Sequence, residues 1–258
     1  MYPRLVIDLK KVKNNLDRIT EMVKGSGSSL MIVTKGYSAD MEIFKILDGS
    51  DIDYLADSRI QNLKKYEGAK KERVLLRLPM NSETDEVVKY ADISLNSELK
   101  TIKNLNESAK RQNKIHKILL MIDLGDLREG IFFKNEDEIY HTVEEILNLK
   151  NIELFGLGVN LTCYGAVIPK SDNLSILVEI ARKIEKKFDI KLQMISGGNS
   201  SSIYLIGRKE LPEGINNLRV GEAFLLGGET AYSQKLEGFY DDAFTLEAEI
   251  ESFKLLAV

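Results

Sequence analysis

The stretch Ser29-Leu30-Met31-Ile32-Val33-Thr34-Lys35-Gly36-Tyr37 decides how the rest of the chain is read. Its apolar, β-branched run has the character of a buried strand. The run ends in a lysine followed at once by glycine. A lysine at the C-terminal lip of a buried strand can lie where desolvation frees its amine as a nucleophile. Taken alone, Lys35 reads more simply as a surface lysine with its stem laid along apolar neighbours.

Outward from this stretch one unit repeats: strand, polar strand end, helix. After Lys35 comes a helix capped by Asp40, carrying Ile43, Phe44 and Leu47, and stopped at Gly49. Strands follow at Asp53–Ala56, Val74–Leu76 and Ile93–Leu95, with Asp57, Arg77 and Asn96 at their ends. The most apolar strand, Ile118–Ile122, ends in Asp123. Ile152–Val159 ends at Asn160, and Leu192–Ile195 at Ser196. Leu218–Val220 and Ala223–Leu226 read as one interrupted strand. On the N-terminal side, Asp8 caps a helix whose buried stripe is Leu9, Val12, Leu16, Ile19 and Val23. Gly25-Ser26-Gly27-Ser28 closes it as a plain loop, because the lysine of a phosphate-binding P-loop is absent.

About eight strands, nearly all followed by helices, carry the apolar runs of a parallel sheet covered on both faces. Their number and even spacing predict an α/β fold of the closed (β/α)8 barrel type rather than a doubly wound sheet. The tail differs. Phe244, Leu246, Ala248 and Ile250 alternate with polar residues, as in a half-exposed antiparallel strand. A lone strand is not stable, so its partners are expected elsewhere or missing. The expected division is a barrel over residues 1–230 and the beginning of a truncated β-domain over 231–258.

Composition narrows the class. A chain of 258 residues with 43% hydrophobic content suffices for one large core. The net charge of -4 gives no reason to expect nucleic acid or an anionic membrane as partner. One cysteine, Cys163, excludes an internal disulfide framework and fits a reducing compartment. With no apolar run long enough to span a bilayer, the expectation is a soluble, cytoplasmic protein.

In such a barrel the chemistry gathers at the C-terminal ends of the strands, often with phosphate held after the last two. Gly197-Gly198-Asn199-Ser200-Ser201 follows the seventh strand. It reads either as a Gly/Ser turn or as an anion cradle of backbone N–H groups and hydroxyls. Arg219 lies inside the eighth strand, where a cation needs a partner. That partner is a structural carboxylate or a ligand atom, with Gly221 allowing close backbone approach. Asp123-Leu124-Gly125-Asp126-Leu127-Arg128-Glu129-Gly130 leaves the fifth strand as a turned loop that can aim Arg128 over the mouth. No histidine accompanies the Asp123/Asp126 pair, so no metal site is expected. His116 and His141 read as strand-entry and helix-surface residues, and Cys163 as an inert thiol. A strand-end lysine, a phosphate cradle and an inward arginine together suggest pyridoxal phosphate (PLP).

At this point the chain resembles the alanine-racemase-like, fold-type III PLP enzymes, most closely their ornithine (or alanine/ornithine) racemase branch. The resemblance covers residues 1 to about 228. It rests on Leu5-Val6-Ile7-Asp8-Leu9 with Asn14-Asn15-Leu16, on Val33-Thr34-Lys35, on Asp123, Gly125, Arg128 and Gly130, on Ser200-Ser201, and on Arg219-Val220-Gly221. It implies that Lys35 holds the cofactor covalently and exchanges the Cα proton, with Arg128 near the cofactor's phenolic oxygen as the second catalytic residue. It further implies that Arg219 meets the pyridine nitrogen, and that Asn160, Gly198, Asn199, Ser200, Ser201, Gly221 and Glu222 complete the cofactor site.

Three departures accompany the resemblance. A lysine common in the family two residues before the loop aspartate is Met121 here, so Arg128 must be held otherwise. The usual ring-stacking histidine is Asn160. The chain stops at Val258, just after the family's C-terminal β-domain would begin, so no tyrosine here is assigned as second base. The implied function is racemisation of ornithine or another basic or small amino acid by a homodimer. The alternative is a non-catalytic barrel that binds PLP in its homeostasis.

Overall fold

A computed structural model describes residues 2–162, 166–250 and 252. Its strands, in chain order, are β1 (Arg4–Ile7), β2 (Ser29–Val33), β3 (Tyr54–Asp57), β4 (Glu72–Leu75), β5 (Ile93–Asn96), β6 (His116–Asp123), β7 (Ile131–Phe132), β8 (Ile152–Gly158), β9 (Met194–Ser196), β10 (Asn217–Val220) and β11 (Phe244–Glu247). The sheet runs β5-β4-β3-β2-β10-β9-β8-β6, and pairing of β5 with β6 closes it. Every pairing in that ring is parallel. The closed barrel expected from the repeat is therefore the fold, and β7 hangs on the outer end of β6.

Alternation within each strand builds two cores. On β2, Leu30 and Ile32 face outward into the shell beneath the helices, while Met31 and Val33 face the barrel interior. Ala56, Val74, Ile93, Leu119, Met121 and Met194 fill that interior with them. A strand buried on both faces has no polar side to show, which is why its sequence is a continuous apolar run.

The helices begin where the sequence places caps. Helix α1 (Leu9–Gly25) starts on Asp8, whose carboxylate accepts the Lys10 and Lys11 N–H groups. Helix α2 (Met41–Asp48) starts on Asp40 and ends at Gly49. The remaining helices are α3 (Ile60–Lys65), α4 (Thr84–Tyr90), α5 (Leu99–Arg111), α6 (Glu136–Leu147), α7 (Ser171–Phe188), α8 (Ile203–Arg208) and α9 (Glu222–Leu226).

Three sequence expectations need correction. Ala223–Leu226 is not strand but helix α9: the Ser200 hydroxyl accepts the Gly221 and Ala223 N–H groups and turns the chain after β10. The tail strand has a partner within the chain, since β11 pairs antiparallel with β1, Leu246 opposite Leu5. This two-stranded sheet stands outside the barrel. Finally, β2 ends at Val33, and Lys35 opens a 3-10 turn, Lys35–Tyr37, instead of finishing the strand.

Candidate active site

Lys35 is held by its neighbours in the chain. The Thr34 N–H donates to Ala56 O (2.8 Å), and the Thr34 hydroxyl donates to Asp57 Oδ2 (2.6 Å). Two residues on, Tyr37 is buried, stacked on Phe244 and edge-on to Phe224. The backbone at Lys35 is thus fixed on both sides while its side chain is exposed. The desolvated setting expected for this lysine is not what the fold supplies. No described residue makes a hydrogen bond or ion pair with its amine.

Arg219 is built into the adjacent wall. Strand β10 pairs with β2, setting Arg219 beside Met31, and Arg219 is only 3% exposed. Its Nη1 donates to Ser196 Oγ (2.6 Å) and its Nη2 to Val159 O (2.6 Å). Ser196 passes the contact on to Asn217 Oδ1 (2.6 Å). A buried guanidinium is tolerated because oxygens meet its N–H groups. Gly158 lies between this arginine and Met121: a Cβ there would sit 2.9 Å from Met121 Sδ and 3.7 Å from Arg219 Nη1.

The turn after β9 forms a pocket of small groups. Gly198 has φ +108, and a Cβ there would come 2.8 Å from Ser202 Oγ. Asn199 accepts the Ser201 N–H and caps a 3-10 turn, Ser200–Ser202. Ser200 is committed to α9. The Ser201 hydroxyl is fully buried and has no partner among the described residues. A buried hydroxyl left without a partner is costly unless a ligand completes it. Gly221 abuts Val33, bringing the start of α9 to the end of β2. Glu222 is the exposed first residue of that helix.

The loop after β6 is shaped by its own carboxylates. Asp123 Oδ1 accepts the Gly125 and Leu127 N–H groups. Asp126 Oδ1 accepts those of Thr162 and Val167, tying this loop to the one after β8. Gly130 (φ +123) lets the loop return onto the strand end, because a Cβ there would lie 2.5 Å from the Asp123 nitrogen. Arg128 is exposed, and its Nε meets Glu129 Oε2 at 2.7 Å. Glu129 Oε1 accepts from Asn160 Nδ2 (2.8 Å), and Asn160 Oδ1 accepts from Asn199 Nδ2 (2.8 Å).

Several expected residues therefore converge, and others do not. Lys35, Arg219, Gly221 and the Gly198–Ser201 turn belong to three neighbouring strand ends. Arg128 is linked through Glu129 to Asn160 and Asn199. Asp57 instead fixes Thr34 and the Arg59 and Asn62 amides. Arg77 pairs with Glu83 on the surface, and Asn96 turns back onto Ser94. The role of Glu129 was not read from the sequence; its adjacency to Arg128 was the available signal. Cys163 lies outside the described residues.

The donors present fit PLP. An unpartnered hydroxyl beside a glycine turn suits a phosphate, a fixed guanidinium suits a pyridine nitrogen, and an exposed primary amine suits an aldehyde. Comparison with known proteins agrees. The family described as alanine racemase, N-terminal domain, matches residues 7–228. The chain is 52% identical over 254 residues to the ornithine racemase of Acetoanaerobium sticklandii, covering 98% of this chain and 71% of that protein. It is 36% identical to the lysine racemase of Thermotoga maritima, again covering 71% of it. The fold is that of the alanine racemase of Clostridium difficile 630, with a TM-score of 0.73 at 19% identity over 95% of this chain. The chain spans 63% of that alanine racemase, less than two thirds of its length. On the match over residues 7–228, the chain belongs to the alanine racemase family of PLP-dependent enzymes.

Proposed function

We propose that the protein interconverts the L- and D-forms of ornithine by removing and returning the Cα proton. The observation that carries this is the exposed amine of Lys35 on a rigid turn, next to the strand that holds Arg219. Resemblance to the ornithine racemase points to the substrate.

PLP, when bound, supplies an electron sink that acidifies the substrate Cα–H. The Lys35 amine would be one of two bases: it takes or delivers the Cα proton on one face, and inversion requires a second group to deliver or take it on the opposite face. The Gly198 turn and the Ser201 hydroxyl would hold the phosphate, and Gly221 would admit it without a side chain in the way. Arg219 keeps its own proton at any ordinary pH, so it would meet the ring nitrogen as a donor without protonating it. Arg128 would meet the cofactor's phenolic oxygen.

This reading divides the chain into the barrel, residues 1–230, and the start of a β-domain, residues 231–258. In its support, β11 lies in a two-stranded sheet apart from the barrel, with β1 of the N-terminal segment as its partner. The reading also takes the protein to be a cytoplasmic homodimer. No helix among the described residues is long and apolar enough to cross a membrane.

The test is to load the protein with PLP and follow D/L interconversion of ornithine, lysine and alanine. Turnover is expected, fastest on ornithine. Bound PLP with no turnover on any of the three would favour the non-catalytic barrel instead.

A further inference from the structure

We infer that Glu129 is a positioning residue that couples Arg128 to the turn holding the cofactor's phosphate. The inference rests on the PLP site proposed above. Its basis is a continuous path of side chains between two loops that the barrel alone does not connect.

The path starts at Arg128, an exposed cation on a loop. Glu129 Oε2 holds its Nε at 2.7 Å, so one carboxylate oxygen both neutralises and orients the guanidinium. The other oxygen, Oε1, accepts from Asn160 Nδ2 at 2.8 Å. Asn160 then accepts from Asn199 Nδ2 at 2.8 Å, and the same Asn199 amino group donates to Leu161 O at 3.0 Å. The remaining Asn199 oxygen accepts the Ser201 N–H at 2.8 Å, inside the turn whose hydroxyl is unpartnered.

Each amide in this path donates at one end and accepts at the other, so its orientation is determined. A carboxylate at the head accepts twice and has no competing polarity. Replacing Glu129 by glutamine puts an N–H₂ on one side, which can no longer accept from both Arg128 and Asn160. The Glu129 side chain is 13% exposed, dry enough for this choice to matter and accessible enough for glutamine to be accommodated. Asn160, read from the sequence as a stand-in for a ring-stacking group, has both amide ends committed to this path.

The experiment titrates PLP, and separately pyridoxal without the phosphate, into the cofactor-free protein by absorbance. It compares the wild type with Glu129→Gln, Asn160→Ala and the double variant, with melting temperature followed in parallel. Each single change is expected to weaken PLP about fivefold, and the double variant about twofold or less beyond the weaker-binding single, because all three cut one path. Asn160→Ala is expected to change pyridoxal affinity less than about twofold, since its link leads to the phosphate turn. Additive losses in the double variant, equal losses for PLP and pyridoxal, or no loss at all would overturn the inference while leaving the PLP site intact. A wild-type protein that takes up neither compound would overturn the PLP reading itself, and this inference with it.

Discussion

Arg219 in the barrel wall and Arg128 in the loop above it carry the same group but are fixed by opposite means. Arg219 is buried, on a strand, and held by neutral oxygens from two neighbouring strand ends. Closure of the ring determines its place, and its environment is as rigid as the sheet. Arg128 is exposed, on a loop, and held by a carboxylate next to it in sequence. Its place depends on side chains that reach from one loop to another. The wall provides position through covalent geometry and strand register, whereas the crown provides it through charge and amide orientation. Removing a polar group from the wall should therefore cost stability, whereas removing one from the crown should cost little.

The largest expected effect that sharpens this contrast is on His116. This histidine opens β6, is 2% exposed, and meets Ser94 Oγ at 2.8 Å. Burial pushes its pKa down to about 4 from the ordinary 6.5. The native state thus favours the neutral ring, a contribution present in full above the unfolded value of 6.5. It is lost as pH falls towards the folded value, where the unfolded chain binds the proton more readily. Unfolding free energy should drop by roughly 3 kcal/mol from this residue between pH 6.5 and about 4. Denaturant titrations of wild type and His116→Gln across that range check it, and parallel pH profiles would count against it.

A smaller loss is expected from Arg219→Met. It leaves Ser196 Oγ and Val159 O without their donor inside the barrel, at about 2 kcal/mol of stability. The same change at Arg128 removes only an exposed ion pair and should cost less than about 0.5 kcal/mol. Both are measured by urea unfolding. Equal costs at the two sites would erase the distinction between wall and crown.

The fold was legible because its signals are local. Continuous apolar runs, Asp8 and Asp40 caps, and polar strand ends each lie within a few residues of the element they define. Where a signal depends on distant partners, legibility fails. Ala223–Leu226 is an apolar run too short to choose between strand and helix, and the choice is made by Ser200 from another loop. The partner of β11 is β1, at the other end of the chain, and nothing in the alternation of Phe244–Ile250 names it. Glu129 reads as ordinary loop charge until Asn160, 31 residues away, is seen to donate to it. Lys35 was legible in position but not in setting, because the 3-10 turn that exposes it follows from Thr34 binding Asp57.

The central claim is that Lys35 is the residue that carries the cofactor. It is tested most directly by loading the protein with PLP, reducing with borohydride, and mapping the labelled peptide by mass spectrometry. The account predicts one pyridoxyl group, on Lys35, and none in Lys35→Ala. A label on another lysine, or an unlabelled wild-type protein, would contradict it.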